Sequence, residues 1–146
     1  MAYMTVGVVT EAEGPTASHR AGSVRFASTE RRLPDAPEAP SPLEMLMASL
    51  TGCMNVVAWM VAREQNWPLR QITFEAEGFL DPRGLMGDPT VPSRLERVSL
   101  TVKVVADFDD ATLDALRTAV ERRCPVHNTF RAAGIALTEQ WVRASA

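Results

Sequence analysis

Only two cysteines occur in this chain, too few for a disulfide scaffold. Neither stands in a CxxC spacing, and the two histidines make no HxxxH pair, so a zinc site is not expected. A net charge of −3, with no arginine-rich stripe and no interleaved aromatics, leaves no electrostatic footprint for nucleic acid. The first ten residues lack the basic n-region of a secretory signal. No internal repeat or low-complexity segment breaks the chain. What remains is an ordinary globular composition, 46% apolar and 23% charged, of a length that suits a single domain over residues 1–146. The expected location is the cytoplasm, with both thiols reduced at rest.

Met45 to Ala62 is a run without charge, long enough to meet the length criterion for a membrane span. Ser49, Thr51, Gly52 and Asn55 interrupt it, and no aromatic belt or basic flank anchors it, so no membrane is expected. The alternative is a helix apolar on every face, which must be covered on every side. A chain this short hardly wraps such a helix alone, which points to a homodimer with this helix near its centre.

The rest of the chain reads as short elements. Thr5–Val9 and His19–Ala27 read as strands. Pro34, Pro37 and Pro40 make the next segment a loop. Ser41 then caps a helix, with Pro42 at its first position and Glu44 completing a capping box. That helix runs to about Asn66, before Trp67–Pro68. Arg70–Gly78 and Val98–Val104 alternate as strands. Asp109 or Asp110 caps a second long helix, Pro125 breaks it and opens a short one over Val126–Ala133, and Ile135–Val142 is a last strand. The order β-β-α-β-β-α-α-β indicates an α+β fold.

Cys53 lies inside the apolar helix, and Cys124 stands where Pro125 starts a new one. A thiol reacts as the thiolate, so a reactive cysteine needs something that lowers its pKa. Cys124 has the helix dipole, Arg122, Arg123 and His127 as candidates. Cys53 has no such neighbours, and Met54, Val56 and Val57 suggest its burial. Two readings are open at this point: thiols that fill space in the core, or a two-cysteine redox site.

Pro40-Ser-Pro-Leu-Glu-Met-Leu-Met-Ala-Ser-Leu-Thr-Gly-Cys53, followed about 70 residues later by Arg123-Cys-Pro-Val-His-Asn-Thr-Phe130, resembles the OsmC/Ohr family over nearly the whole chain. The resemblance implies a swapped homodimer, with two six-stranded, mostly antiparallel sheets around two central helices. It also implies a thiol peroxidase for organic hydroperoxides. Cys53 would attack the peroxide and become a sulfenic acid, Cys124 would resolve it as a disulfide, and an external dithiol would reduce that disulfide. The implied pocket is apolar, with Leu50, Met54, Val57 and His127 as candidate substrate-binding residues. No metal or organic cofactor is implied.

In the peroxidases of this family a glutamate directly follows the proline eleven residues before the cysteine, and it pairs with an arginine from the amino-terminal region. Here Pro42 occupies the proline's place and Leu43 follows it. Glu44 is one position on, a rotation of about 100° around the helix. Arg31 and Arg32 lie in the upstream loop where the arginine is expected, and Glu44 with Arg32 is taken as the pair. This Pro-x-Glu form places the chain near less characterised branches of the family. Two further readings stay beside the peroxidase: a non-enzymatic small-molecule binding protein, and a thiol redox sensor.

Overall fold

The computed structural model describes residues 1–144. The chain divides into two compact units, Met1–Leu46 and Met47–Ala146. In the first, β1 (Val9–Ala12), β2 (Ala17–Ala21) and β3 (Val24–Ser28) form an antiparallel sheet in that order. The segment expected as one strand over His19–Ala27 is a hairpin, turned at Gly22 with φ of +59°. Only glycine enters that region without steric cost, and this is the turn signal that the alternating pattern concealed. The stretch expected as a strand at Thr5–Val9 is displaced to Val9–Ala12. The proline-rich loop is closed at its base by the Thr29 N–H, which donates to the Pro40 carbonyl at 3.0 Å.

Helix α1 spans Pro42–Glu64. The capping box forms as the sequence indicates: Glu44 N–H donates to Ser41 Oγ at 3.2 Å, and Ser41 N–H to Glu44 Oε2 at 2.7 Å. At the far end Asn66 takes a left-handed φ of +55°, and the Trp67 N–H reaches back to the Ala62 carbonyl at 2.8 Å. That closure satisfies a carbonyl that the helix end would otherwise leave open. By length and composition α1 could cross a membrane. One face, Leu50, Met54, Val57, Ala58 and Val61, is instead buried against protein.

In the second unit, β4 (Leu69–Phe79), β5 (Arg97–Ala106) and β6 (Ala136–Arg143) form a sheet with β5 in the middle. β4 and β5 are antiparallel, β5 and β6 parallel. A parallel pair needs a crossover, and α3 (Asp110–Arg123) with α4 (Pro125–Ala132) supplies it. Val98, Leu100, Val102 and Val104 alternate inward along β5, as its sequence pattern predicts. Val98 and Leu100 meet Leu116 and Val120 of α3, Phe130 of α4 and the buried face of α1, while Val102 and Val104 meet Ala62, Leu69 and Leu113. Gly78 on β4 permits this close packing, since a Cβ there would stand 3.0 Å from both Leu95 Cδ2 and Met47 Sδ. A four-residue helix, α2 (Pro82–Leu85), lies in the loop after β4.

Candidate redox site

The site is built on a single backbone constraint. Pro125 disfavours a helical conformation in the residue before it, and Cys124 is extended, at φ −75° and ψ 114°. Helix α3 therefore ends at Arg123 and α4 begins at Pro125, with Cys124 as the last cap of one and the first cap of the other. Its Sγ accepts the His127 N–H at 3.4 Å. Pro125 also removes a donor that the Glu121 carbonyl would have received. Asn128 returns it: its side-chain amide donates to the carbonyls of Glu121 (3.1 Å), Arg122 (3.1 Å) and Cys124 (2.9 Å). The amide of one residue thus fixes the junction that carries the thiol.

Both cysteines are free thiols. Cys124 is fully buried, in the same apolar cluster as Leu50, Met54 and Leu100, and half-buried Cys53 packs against that cluster. The two thiols are neighbours close enough to interact, although they lie about 70 positions apart in sequence. The electrostatics of Cys124 run opposite to the expectation from its neighbours. Burial pushes its thiol up to about 11, and the Cys53 sulfur raises it further. The N–H groups of His127 and Val126 at the helix start pull it down without prevailing. Arg123 contributes no relief, because its guanidinium is bound to Glu64 across the end of α1 at 2.5 and 2.9 Å.

His127 is 2% exposed, and its Nε2 lies 2.5 Å from Glu139 Oε1 on β6. The second Glu139 oxygen accepts the Trp141 indole N–H at 3.1 Å. Burial pushes the Glu139 carboxyl up, but the bonds from His127 and Trp141, and the His127 and Arg117 charges, outweigh it and hold the group below its usual range. His127 and Glu139 line a groove of about 450 Å³ together with Arg117, Glu121 and Arg131. Glu139 and Asn128 drew no attention in the sequence. In sequence Glu139 shares a strand face with Leu137 and Trp141, a charge on the inward side that was the available signal, and no local spacing links it to His127.

In the first unit Arg31, not Arg32, meets Glu44. Arg32 is bound to Glu30 through Nε at 2.9 Å and Nη2 at 3.1 Å, which holds the Glu30 carboxyl at about 2. Glu44 divides its two oxygens, giving Oε2 to the Ser41 N–H and Oε1 to Arg31. The Ser41 N–H and hydroxyl, then Arg31, hold its carboxyl below the usual range. Capping and ion pairing therefore coexist on one side chain. Arg31 and Glu44 also line a recess of about 360 Å³ with Glu38, Ala39 and Pro40. Leu50, Met54 and Val57, expected to line a substrate pocket, are core residues in this chain.

Residues 35–140 match the family model described as OsmC-like protein. No curated protein matches the chain. Among solved structures, an OsmC-like protein from Mycoplasma pneumoniae superposes with a TM-score of 0.84 at 13% identity, over 97% of this chain and 98% of that one. An organic hydroperoxide resistance protein from Elizabethkingia anophelis gives 0.74 at 17% identity, over 98% and 99%. The organic hydroperoxide resistance protein OhrB of Bacillus subtilis gives 0.64 at 18% identity, over 95% and 98%. At these identities the likeness is one of fold.

Proposed function

The chain belongs to the OsmC family, and from that premise we propose that it is a two-cysteine peroxidase that reduces organic hydroperoxides to alcohols. The observation that carries the reading is the contact between two free thiols within an apolar cluster. A pair so placed supports formation of one intramolecular disulfide without large rearrangement.

Cys53, the more exposed of the two, is the attacking thiol. Its thiolate displaces the alkoxide from the peroxide's distal oxygen, and the alkoxide leaves as the alcohol after taking a proton. Cys53 is then a sulfenic acid. Cys124 attacks that sulfur, water leaves, and a disulfide remains. An external dithiol reduces the disulfide by exchange and restores both thiols. The arginine–glutamate pair that the family pattern calls for is represented, within the first unit, by Arg31 and Glu44. The apolar cluster against which Cys53 packs favours alkyl or aryl peroxides over hydrogen peroxide.

The working unit in this proposal is a cytoplasmic homodimer. Val56, Trp59 and Met60 of α1 are 57%, 40% and 48% exposed in the single chain, a large apolar face that a second copy would cover.

The test is consumption of cumene hydroperoxide and of hydrogen peroxide, with a dithiol as reductant, by wild type and Cys53→Ser. Turnover that prefers the organic peroxide and disappears in the variant supports the proposal. No turnover, with both thiols free and titratable, would refute it and leave small-molecule binding or redox sensing as the role of the fold.

A further inference from the structure

His127 combines two properties that nothing in the fold explains. Its Nδ1 is buried and, among the described residues, is the one buried side-chain nitrogen or oxygen without a hydrogen-bond partner. Leaving such a group unpaired in the interior is costly, and a fold that keeps one has a use for it. Its other nitrogen is committed. Glu139 is held as a carboxylate, so Nε2 carries the proton and donates to it. In the neutral ring this leaves Nδ1 as a bare lone pair. The main-chain N–H of the same residue already touches Cys124 Sγ.

We propose that His127, oriented by Glu139, is the base that takes the Cys124 thiol proton when the intramolecular disulfide forms. The inference rests on the two-cysteine reading above for the sulfenate, though not for the proton transfer itself. Some base is required, because a thiol buried this deeply does not ionise unaided near neutral pH. The His127 main-chain N–H on Cys124 Sγ keeps the thiol beside this residue, and the proposal requires the S–H proton to pass from that sulfur to Nδ1.

In the step itself, the Cys124 S–H bond breaks and its proton passes to Nδ1, leaving a thiolate. The thiolate sulfur bonds to the Cys53 sulfur as the Cys53 S–O bond breaks. The departing hydroxide takes the proton back from Nδ1 and leaves as water. Cys124 is oxidised, the sulfenic sulfur is reduced to the disulfide level, and His127 ends neutral. Glu139 acts through the ring and is a positioning residue, with Trp141 holding its second oxygen. The other charged groups beside the ring are Arg117 and Glu121 on α3 and Arg131 on α4.

The test isolates the unimolecular step in two ways. In the first, Cys53 sulfenate is made with one equivalent of cumene hydroperoxide, and its decay to disulfide is followed by quenching with a dimedone-type trap. In the second, an aromatic disulfide such as dithionitrobenzoate forms a mixed disulfide at Cys53. Attack by Cys124 then releases a second equivalent of coloured thiolate and leaves its proton on His127. The variant is His127→Gln, whose amide still donates to Glu139 but offers no titrating base.

The expected result is a resolving step about a hundredfold slower. The wild-type profile, rising with pH to a plateau, should become a continuous rise. A rate within twofold of wild type overturns the proposal. So does a slowed step that keeps the wild-type inflection, which would assign His127 to packing alone. Should His127→Gln not fold, as judged by circular dichroism, Glu139→Gln carries the test. Loss of the carboxylate should move the inflection to lower pH, and an unmoved inflection overturns the proposal. If cumene hydroperoxide yields no labelled sulfenate, the peroxidase reading fails while the mixed-disulfide measurement still decides the role of His127.

Discussion

Arg123 sets two guanidinium nitrogens on the Glu64 carboxylate, at 2.5 and 2.9 Å, and so ties the end of α3 to the end of α1. This pair explains why the thiol next in sequence is not activated by its neighbour. The cation that local sequence offers to Cys124 is already neutralised, and burial then dominates the thiol's titration.

The two thiols should therefore differ sharply in reactivity. Iodoacetamide at pH 8 should label Cys53 first, with Cys124 protected until the chain unfolds, as read by mass spectrometry of tryptic peptides. The raised thiol also has a sign in stability. The unfolded chain ionises Cys124 near pH 9 while the folded chain holds its proton to about 11. Stability from this group is complete below about pH 9 and is lost as the pH climbs towards 11. Urea midpoints for wild type should fall across that window more steeply than those for Cys124→Ala.

Glu44 serves the helix start and Arg31 with different oxygens, and these roles are separable. Glu44→Gln keeps a capping-box residue and removes the charge. Helix content should survive while kcat/KM for the organic peroxide drops tenfold or more. Ser41→Ala should do the reverse, costing about 1 kcal/mol of stability with little change in kcat/KM. The Glu44 carboxyl is held low, so the stabilisation of its ion pair is present at neutral pH. It is lost as the pH falls below the ordinary carboxylate range.

Asn128 satisfies three carbonyls at the α3–α4 junction. Asn128→Ala should destabilise the chain by about 1–3 kcal/mol in chemical denaturation. It should also slow disulfide formation, because the junction that aims Cys124 loses its clamp. Asn128→Asp, which offers no donor to these carbonyls, should be at least as damaging.

The exposed face of α1 carries Trp59 at its middle, 40% exposed beside Val56 and Met60. Trp59→Glu should give monomer or aggregate by sedimentation velocity, where wild type gives dimer. A wild-type chain that sediments as a well-folded monomer would remove the dimer from the proposed function.

Much of this architecture was legible because its signals are local. Ser41, Pro42 and Glu44 announce the start of α1 within four residues, Val98–Val104 shows the period of its strand, and Pro125 marks the α3–α4 break. The hairpin at Gly22 was missed because the flanking residues alternate through the turn. The choice between Arg31 and Arg32 was illegible for another reason: neighbouring side chains point differently, and Glu30 captures Arg32 from two residues away. The environment of Cys124 was misjudged because sequence neighbours advertise charge, whereas burial and the Glu64 partner come from distant parts of the chain. Glu139 was invisible on the same ground, since its link to His127 exists only after β6 is in place.

That dependence has a consequence for the order of folding. β6 pairs parallel with β5, a contact that needs the whole α3–α4 crossover to be laid down before it can form. Until that strand seats, Glu139 has no hold on His127, and the Cys124 thiol sits beside an imidazole free to adopt either tautomer. The contact between Glu139 and His127 is thus among the last that the chain can make, so a half-folded molecule holds both cysteines without the ordered imidazole beside them.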